Sequence, residues 1–184
     1  MNYIFNTGLF GSLILILGAA WPEPHTVIRP IIPYKNWLLA IGGVVMFIYA
    51  ILNYVHGGPI FFVILQILVL ISSLLMMFNS SDKTDSIVLG VSALGLVVWS
   101  VLLFNGYNTI IFILGLAGIG LGYAFEMKSL RRVLAITLGS ALIALFSYLE
   151  ANWIFFWLNL FFTIISVWYV GKMVGEMGNK KVLK

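Results

Sequence analysis

The chain has 184 residues, of which 62% are apolar and 9% are charged, and its mean hydropathy is +1.10. A soluble domain carries roughly a quarter charged residues, so this composition excludes a water-facing globular surface and indicates an all-α integral membrane protein. The formal net charge is +4, but the basic residues flank apolar stretches, which argues against nucleic acid as a partner. The absence of cysteine excludes thiol catalysis, thiolate metal sites and disulfides.

Apolar segments of spanning length follow one another along the whole chain. A bilayer core of about 30 Å needs roughly 20 apolar residues per helix. We expect one membrane domain, 1–184, with seven transmembrane helices at about 4–21, 36–55, 59–78, 86–104, 108–126, 131–150 and 153–173. The first lacks a preceding basic region, so we expect it to be retained. Four prolines within 22–35 predict an extended loop after it.

The basic residues lie on one side of this topology. They are Arg29, Lys35, Lys83, Lys128, Arg131, Arg132, Lys172, Lys180, Lys181 and Lys184. The alternate connections contain no lysine or arginine, and this bias is what orients a chain in a bilayer. We therefore expect a multi-pass protein of the plasma (inner) membrane, with the N-terminus outside and the C-terminus in the cytoplasm.

The expected outer connections are short and rich in turn residues. They lie at 56–59, 105–108 and 150–153, and they join the last six helices into three outward-tipped hairpins after one N-terminal helix. Residues 58–62, 108–112 and 152–156 resemble one another, as internal repeats of transporters do. The alternative is that every tight tip selects similar residues. The pairing suits a one-plus-six layout of helices as well as three-one-three.

The sequence offers little for catalysis or metal binding. No predicted span has an ionisable residue at its centre, where proton relays and ion paths place one. The two histidines, His25 and His56, fall on opposite sides of the membrane, and no carboxylate cluster or nucleophile motif occurs. Glu150 is either a proton-coupling group or, as we favour, a solvated helix-end carboxylate. We predict no enzyme activity, no cofactor and no metal.

Glycines form one face of the fifth predicted span. Gly115, Gly118 and Gly122 recur at helical spacing, and such faces let two helix backbones approach closely. We expect them to serve helix packing, either within the bundle or between the protomers of a homo-oligomer.

Neutral polar and aromatic residues form the candidate substrate site. Gln66 and Asn159 each lie seven residues after a hairpin tip, which is about 10 Å deep at 1.5 Å per residue. An amide facing lipid is costly, so both should face inward. The candidate substrate-binding residues are Gln66, Asn159, Tyr49, Asn53, Trp99, Tyr148 and Trp153. The alternative is that the amides only hydrogen-bond neighbouring helices, each contributing about 1 kcal/mol.

Two stretches resemble PnuC-type vitamin transporters. One is Lys35-Asn-Trp-Leu-Leu-Ala followed by Tyr49 and Gly57-Gly58, and the other is Asn152-Trp-Ile-Phe-Phe-Trp-Leu-Asn159. That family is related in architecture to the SWEET sugar facilitators, which have seven helices and an outside N-terminus. The resemblance implies that Asn159 and Trp153 contact substrate and that Tyr49 lines its path.

The sequence thus favours a small transporter or facilitator for a neutral or zwitterionic, vitamin-like or sugar-like metabolite. Its partners would be that small molecule and the lipid bilayer. The alternative is a structural or accessory subunit of a membrane complex that packs through its glycine-rich helix. A solvent-connected cavity at Gln66 and Asn159 would favour the transporter, and a filled bundle would favour the subunit.

Overall fold

The computed structural model describes residues 2–21, 34–78, 81–125 and 129–182, with the side chains of Asn2, Asp82 and 176–182 left out. Every regular element in these ranges is an α-helix. The helices are α1 (Asn2–Ala20), α2 (Tyr34–Val55), α3 (Phe61–Leu75), α4 (Asp82–Leu102), α5 (Tyr107–Ala124), α6 (Leu130–Leu149) and α7 (Trp153–Val182). Most of the loop expected at 22–35, with Arg29 and His25, lies outside the described residues, as does Lys128.

The prediction of an all-helical membrane protein is confirmed, because six of these helices are long and apolar enough to cross a membrane. The exception is α3, which has 15 residues where we expected a span over 59–78. At 1.5 Å per residue it covers about 22 Å, less than the bilayer core. A turn at Gly58–Ile60 and another at Met76–Phe78 replace the missing helical residues. A full seventh crossing stays a prediction.

Consecutive helices pack side by side in a ring, which the contact between α1 and α7 closes. The start of α1 lies beside the α2–α3 turn, where the Tyr3 hydroxyl is 3.4 Å from His56 Nε2. Asn108 at the start of α5 donates to Glu150 Oε1 at 2.9 Å. We call this end of the bundle the tip end. At the opposite, base end, Asn36 Nδ2 donates to the Met76 carbonyl at 3.1 Å.

Glycines bring two helix pairs into close contact. On α1, Gly8 lies against the Tyr49 ring and Gly11 against Val45 and Met46 of α2. On α5 and α6, a Cβ added at Gly139 would lie 2.6 Å from the Ile119 backbone nitrogen. Backbones this close give extensive van der Waals packing, which drives association of helices in lipid.

The tip half of the bundle is filled by phenylalanine rings centred on α3. Phe61 lies 5.0 Å from Phe112 of α5, and Phe62 is stacked on Phe155 of α7 at 4.3 Å with an angle of 2° between the planes. Phe146 of α6 contacts both α3 rings, at 5.8 and 5.4 Å. Four of these rings have exposures of 0–1%. α3, the short helix, is therefore central at the tip end.

Local capping explains where several helices begin. The hydroxyls of Ser81 and Ser129 accept hydrogen bonds from Thr84 N and Arg132 N, each at 3.2 Å, and so cap α4 and α6. α7 continues to Val182, well past the predicted end at 173. The segment after 173 contains no proline, and its methionine, glutamate and lysine residues favour a helix, although its two glycines and one asparagine do not.

Candidate functional site

Two faces of α3 build two different contacts. One face, with Phe61, Leu65 and Leu68, is turned to α5. The other carries Phe62, Gln66 and Ser73, and it is turned to α7 and α2, as the Phe62–Phe155 stack and the proximity of Ser73 to Gly43 indicate. We call this second region the α2–α3–α7 seam.

A three-ring stack closes the tip end of the seam. Tyr49 lies 5.5 Å from Phe155, which is stacked on Phe62. The Tyr49 hydroxyl donates to Asn152 Oδ1 at 3.1 Å, and the same oxygen accepts from Phe155 N at 3.2 Å. Asn152 thus caps α7 and fixes Tyr49 over the seam.

Gln66 and Asn159 lie one helical turn below this stack. Each follows its ring by four residues, Phe62 on α3 and Phe155 on α7, and both helices run from the tip end towards the base end. Residues four apart share a helix face, so the two amides lie at similar depth on facing helices. Both are buried, Gln66 with 1% and Asn159 with 6% of its surface exposed. Gln66 thus lies one turn below Phe62 and Asn159 one turn below Phe155, the ring on which Tyr49 also packs.

Two amide atoms bordering this region have no hydrogen-bond partner among the described residues. They are the acceptor Gln66 Oε1 and the donor Asn53 Nδ2, both buried. Asn53 lies at the end of α2 against Gly58. By contrast, Asn159 Nδ2 donates to the Phe155 carbonyl at 2.8 Å. An unmade hydrogen bond at a buried polar atom costs about 1–3 kcal/mol. A hydrogen bond to a neighbouring helix therefore does not explain why Gln66 Oε1 is buried.

The other predicted aromatics do not join the seam. Tyr148 and Trp153 contact each other at 5.9 Å on the outside of α6 and α7, with 54% and 53% exposed. Trp99 is 39% exposed on α4, which packs against α3 and α5. Aromatic side chains at the end of a span suit the interface between lipid and water. Sequence depth alone could not separate such residues from pocket residues.

The glycine face of α5 packs inside the bundle. Added Cβ atoms at Gly115 and Gly118 would lie 2.8 Å from Ile143 and 3.0 Å from the Gly139 backbone, and one at Gly122 would collide with Ile136. All three glycines therefore face α6. Gly139 is the matching small residue that the sequence reasoning did not single out.

Asn152 is a residue of this region whose role the sequence reasoning did not predict. The sequence identified it only as the first residue of a stretch that resembles PnuC-type transporters, yet its side-chain oxygen accepts hydrogen bonds from both α7 and Tyr49. An asparagine directly before an apolar helical run is a capping signal, which could have identified it.

The described residues contain no group of three histidine, cysteine, aspartate or glutamate side chains that could hold a metal ion. The arrangement in the seam suits recognition by neutral hydrogen bonds and ring contacts. No protein-family description, curated protein or solved structure matches the chain. The resemblance to PnuC-type transporters accordingly stays a prediction.

Proposed function

We propose that this membrane protein is a facilitator for a neutral or zwitterionic polar metabolite, which it binds in the α2–α3–α7 seam. The observation that carries the proposal is the buried Gln66, whose Oε1 lacks a donor among the described residues, at a depth similar to that of the buried Asn159. A ligand with an N–H or O–H group would satisfy that oxygen. Binding would thereby recover the 1–3 kcal/mol that an unpaired polar atom costs.

The ring stack supplies a gate for such a site. Tyr49, Phe62 and Phe155 separate Gln66 from the tip end. A ligand reaching Gln66 from that end must displace these rings. Side-chain movements of this kind are fast compared with transport. Opening the gate would break the hydrogen bond from Tyr49 to Asn152, and the strength of this bond would therefore set the fraction of time for which the gate is open.

The mode of transport follows from the charge distribution. Among the described residues, no charged side chain lies at the centre of a helix, which leaves nothing to couple movement to protons or to the membrane potential. We therefore propose facilitated diffusion, with net uptake drawn by trapping of the solute in the cell.

The test is ligand-dependent thermal stabilisation of purified protein against a panel of vitamin-like and sugar-like compounds. A specific ligand at a hundredfold excess over its dissociation constant stabilises by about 2.7 kcal/mol. We expect Gln66→Met and Asn159→Ala to lose this stabilisation and the uptake of the same compound. Ser147→Ala is the matched control, since its buried hydroxyl is bonded within α6 to the Ile143 carbonyl at 2.7 Å. Retention of binding by both seam variants would refute the assignment.

A second candidate function is that of an accessory subunit, and two observations favour it. The tip half is filled with rings instead of a cavity, and Gly171 and Gly175 on α7 have nothing within 4 Å of an added Cβ. Such a small-residue pair could take a partner helix. If no compound stabilises the wild type, and Gly171→Leu releases a co-purifying membrane protein, this function replaces the first.

A further inference from the structure

A small polar cavity lies at the base end, on the side of α3 away from Gln66. Because α3 stops at Leu75, the base ends of α3, α4, α5 and α6 enclose a space of about 20 Å³. That volume holds about one water molecule. Its polar lining consists of Ser72, Asp85, Ser86, Tyr123 and Arg132.

The polar groups of this cavity come from all four helices. Tyr123 of α5 and Ser72 of α3 both line it, so the α3–α5 contact that begins with rings at Phe61 and Phe112 ends with polar side chains. The Arg132 guanidinium lies 5.9 Å from the centre of the Tyr123 ring. Polar side chains converging inside a bundle of apolar helices indicate water, because lipid offers them no hydrogen bonds.

The cavity is lined by one cationic side chain, Arg132, and one anionic side chain, Asp85. A guanidinium has five N–H donors, and among the described residues that of Arg132 makes one hydrogen bond, from Nη1 to the Phe125 carbonyl at 3.4 Å. Asp85 also lines the cavity, but it is engaged in another interaction of the chain. Lys83 and Arg131 lie exposed close by in sequence. Donors directed by a cation favour an anionic guest.

We propose that this cavity is a water-accessible vestibule at the base end that admits small anions in preference to cations through Arg132. The vestibule does not depend on the seam, since Ser72 and Gln66 lie on different faces of α3. Its occupant would have about the size of one water molecule, as a halide ion does.

The absence of native cysteine permits a direct test by thiol labelling in lipid nanodiscs, where both ends of the bundle meet water. Methanethiosulfonate reagents react with thiolate, which forms only where water reaches the sulfur. We expect Ser86→Cys to react roughly tenfold faster or more than Val91→Cys, which faces lipid, and Ser100→Cys, which is buried in α4. Equal rates at Ser86→Cys and Val91→Cys would overturn the vestibule.

The charge preference is tested with reagents carrying a sulfonate or a trimethylammonium group, each rate being divided by that of free mercaptoethanol. We expect the sulfonate to be favoured about threefold or more at Ser86→Cys, because a local cationic field concentrates anions. Adding Arg132→Gln should abolish that preference, whereas adding Arg131→Gln, an exposed neighbour, should leave it. A preference that survives Arg132→Gln would refute the role of Arg132, even if seam binding is intact.

Discussion

At the scale of single residues, Gln66 is a position where stability and binding oppose each other. Its oxygen is buried without a donor among the described residues, although the side chain is almost completely enclosed. A fold selected for packing alone would place an apolar side chain there, because an apolar group of similar shape needs no partner.

Replacing Gln66 with methionine should therefore raise the stability of the ligand-free protein. The expected gain is about 1 kcal/mol, since the variant keeps the volume and removes an unsatisfied acceptor. The measurement is the melting temperature in detergent, without ligand. The control is Ser147→Ala, whose hydroxyl is already satisfied, and it should not be stabilised. A fall in the melting temperature of Gln66→Met would mean that the amide is satisfied in solution.

Gly139 is the residue at which close packing of α5 and α6 can be tested most cleanly. An added Cβ would lie 2.6 Å from Ile119 N and 2.8 Å from the Gly115 carbonyl oxygen, both backbone atoms that cannot move aside. Overpacking of this kind costs about 1–3 kcal/mol.

We expect Gly139→Ala to lower the melting temperature clearly. Gly95→Ala is the matched control, because an added Cβ there meets nothing within 4 Å and alanine favours a helix over glycine by up to about 1 kcal/mol. Equal behaviour of the two variants would show that α5 and α6 separate easily.

At the scale of the helices, the junction of α6 and α7 depends on one side chain. Asn152 Oδ1 accepts from both Phe155 N and the Tyr49 hydroxyl, so a single oxygen joins the cap of α7 to α2. Ala151, directly before it, has a positive φ of 52°, and Glu150 closes α6. The turn is thus specified by consecutive residues.

Asn152→Ala should destabilise the protein by about 1–2 kcal/mol through loss of the cap, while Tyr49→Phe should cost less because α7 keeps its cap. Asn152→Asp retains an acceptor oxygen and is the control. In a double-mutant cycle, the Tyr49 and Asn152 changes should be non-additive, as expected for contacting residues. Additive melting shifts would contradict the shared hydrogen bond.

Length and hydropathy predicted the number of helices and most of their ends, because turn residues such as Gly57, Gly106 and Asn152 lie between the apolar segments. The early end of α3 was not predictable from them, since residues 76–78 are apolar and look helical. Spacing placed Gln66 and Asn159 at one depth, but it could not predict that Phe62 stacks on Phe155 and so joins the tip halves of α3 and α7. Trp153 and Tyr148 have exposed side chains and lie outside the seam, and the periodicity of the sequence does not predict this exposure.

The close contact of α1 with α2 was also visible in principle. Gly8, Gly11 and Gly18 follow a helical spacing, and all three face α2. Glycine at such spacing in an apolar segment is the sequence signal for close helix packing. The prediction of a glycine face covered only α5, where the glycines are more closely spaced.

At the scale of the whole molecule, the distribution of basic residues sets an expected orientation. Among the described residues, Lys35, Lys83, Arg131 and Arg132 lie at or near base-end helix termini, and Lys172 lies in the base-end half of α7, whereas the tip turns contain His56 and Glu150 as ionisable groups. The bias of lysine and arginine predicts that the base end faces the cytoplasm.

Impermeant thiol reagents on intact cells test this orientation. We expect Asn105→Cys, in the exposed α4–α5 tip turn, to be labelled at once. Lys83→Cys, at the base end, should be labelled only after the cells are permeabilised. The reverse result would invert the topology and place the vestibule outside.

The contact between α1 and α7 closes the ring with two helices that are far apart along the chain. A chain emerges from the ribosome starting at its N-terminus, so Tyr49 and Gln66 enter the bilayer long before Phe155 and Asn159 exist. Until the start of α7 arrives, the Tyr49 hydroxyl has no Asn152 oxygen to accept its hydrogen bond, and the Phe62 ring lacks its Phe155 partner. We therefore expect a chain that terminates before residue 152 to present an uncovered phenol to acyl chains, a feature that membrane quality control can recognise.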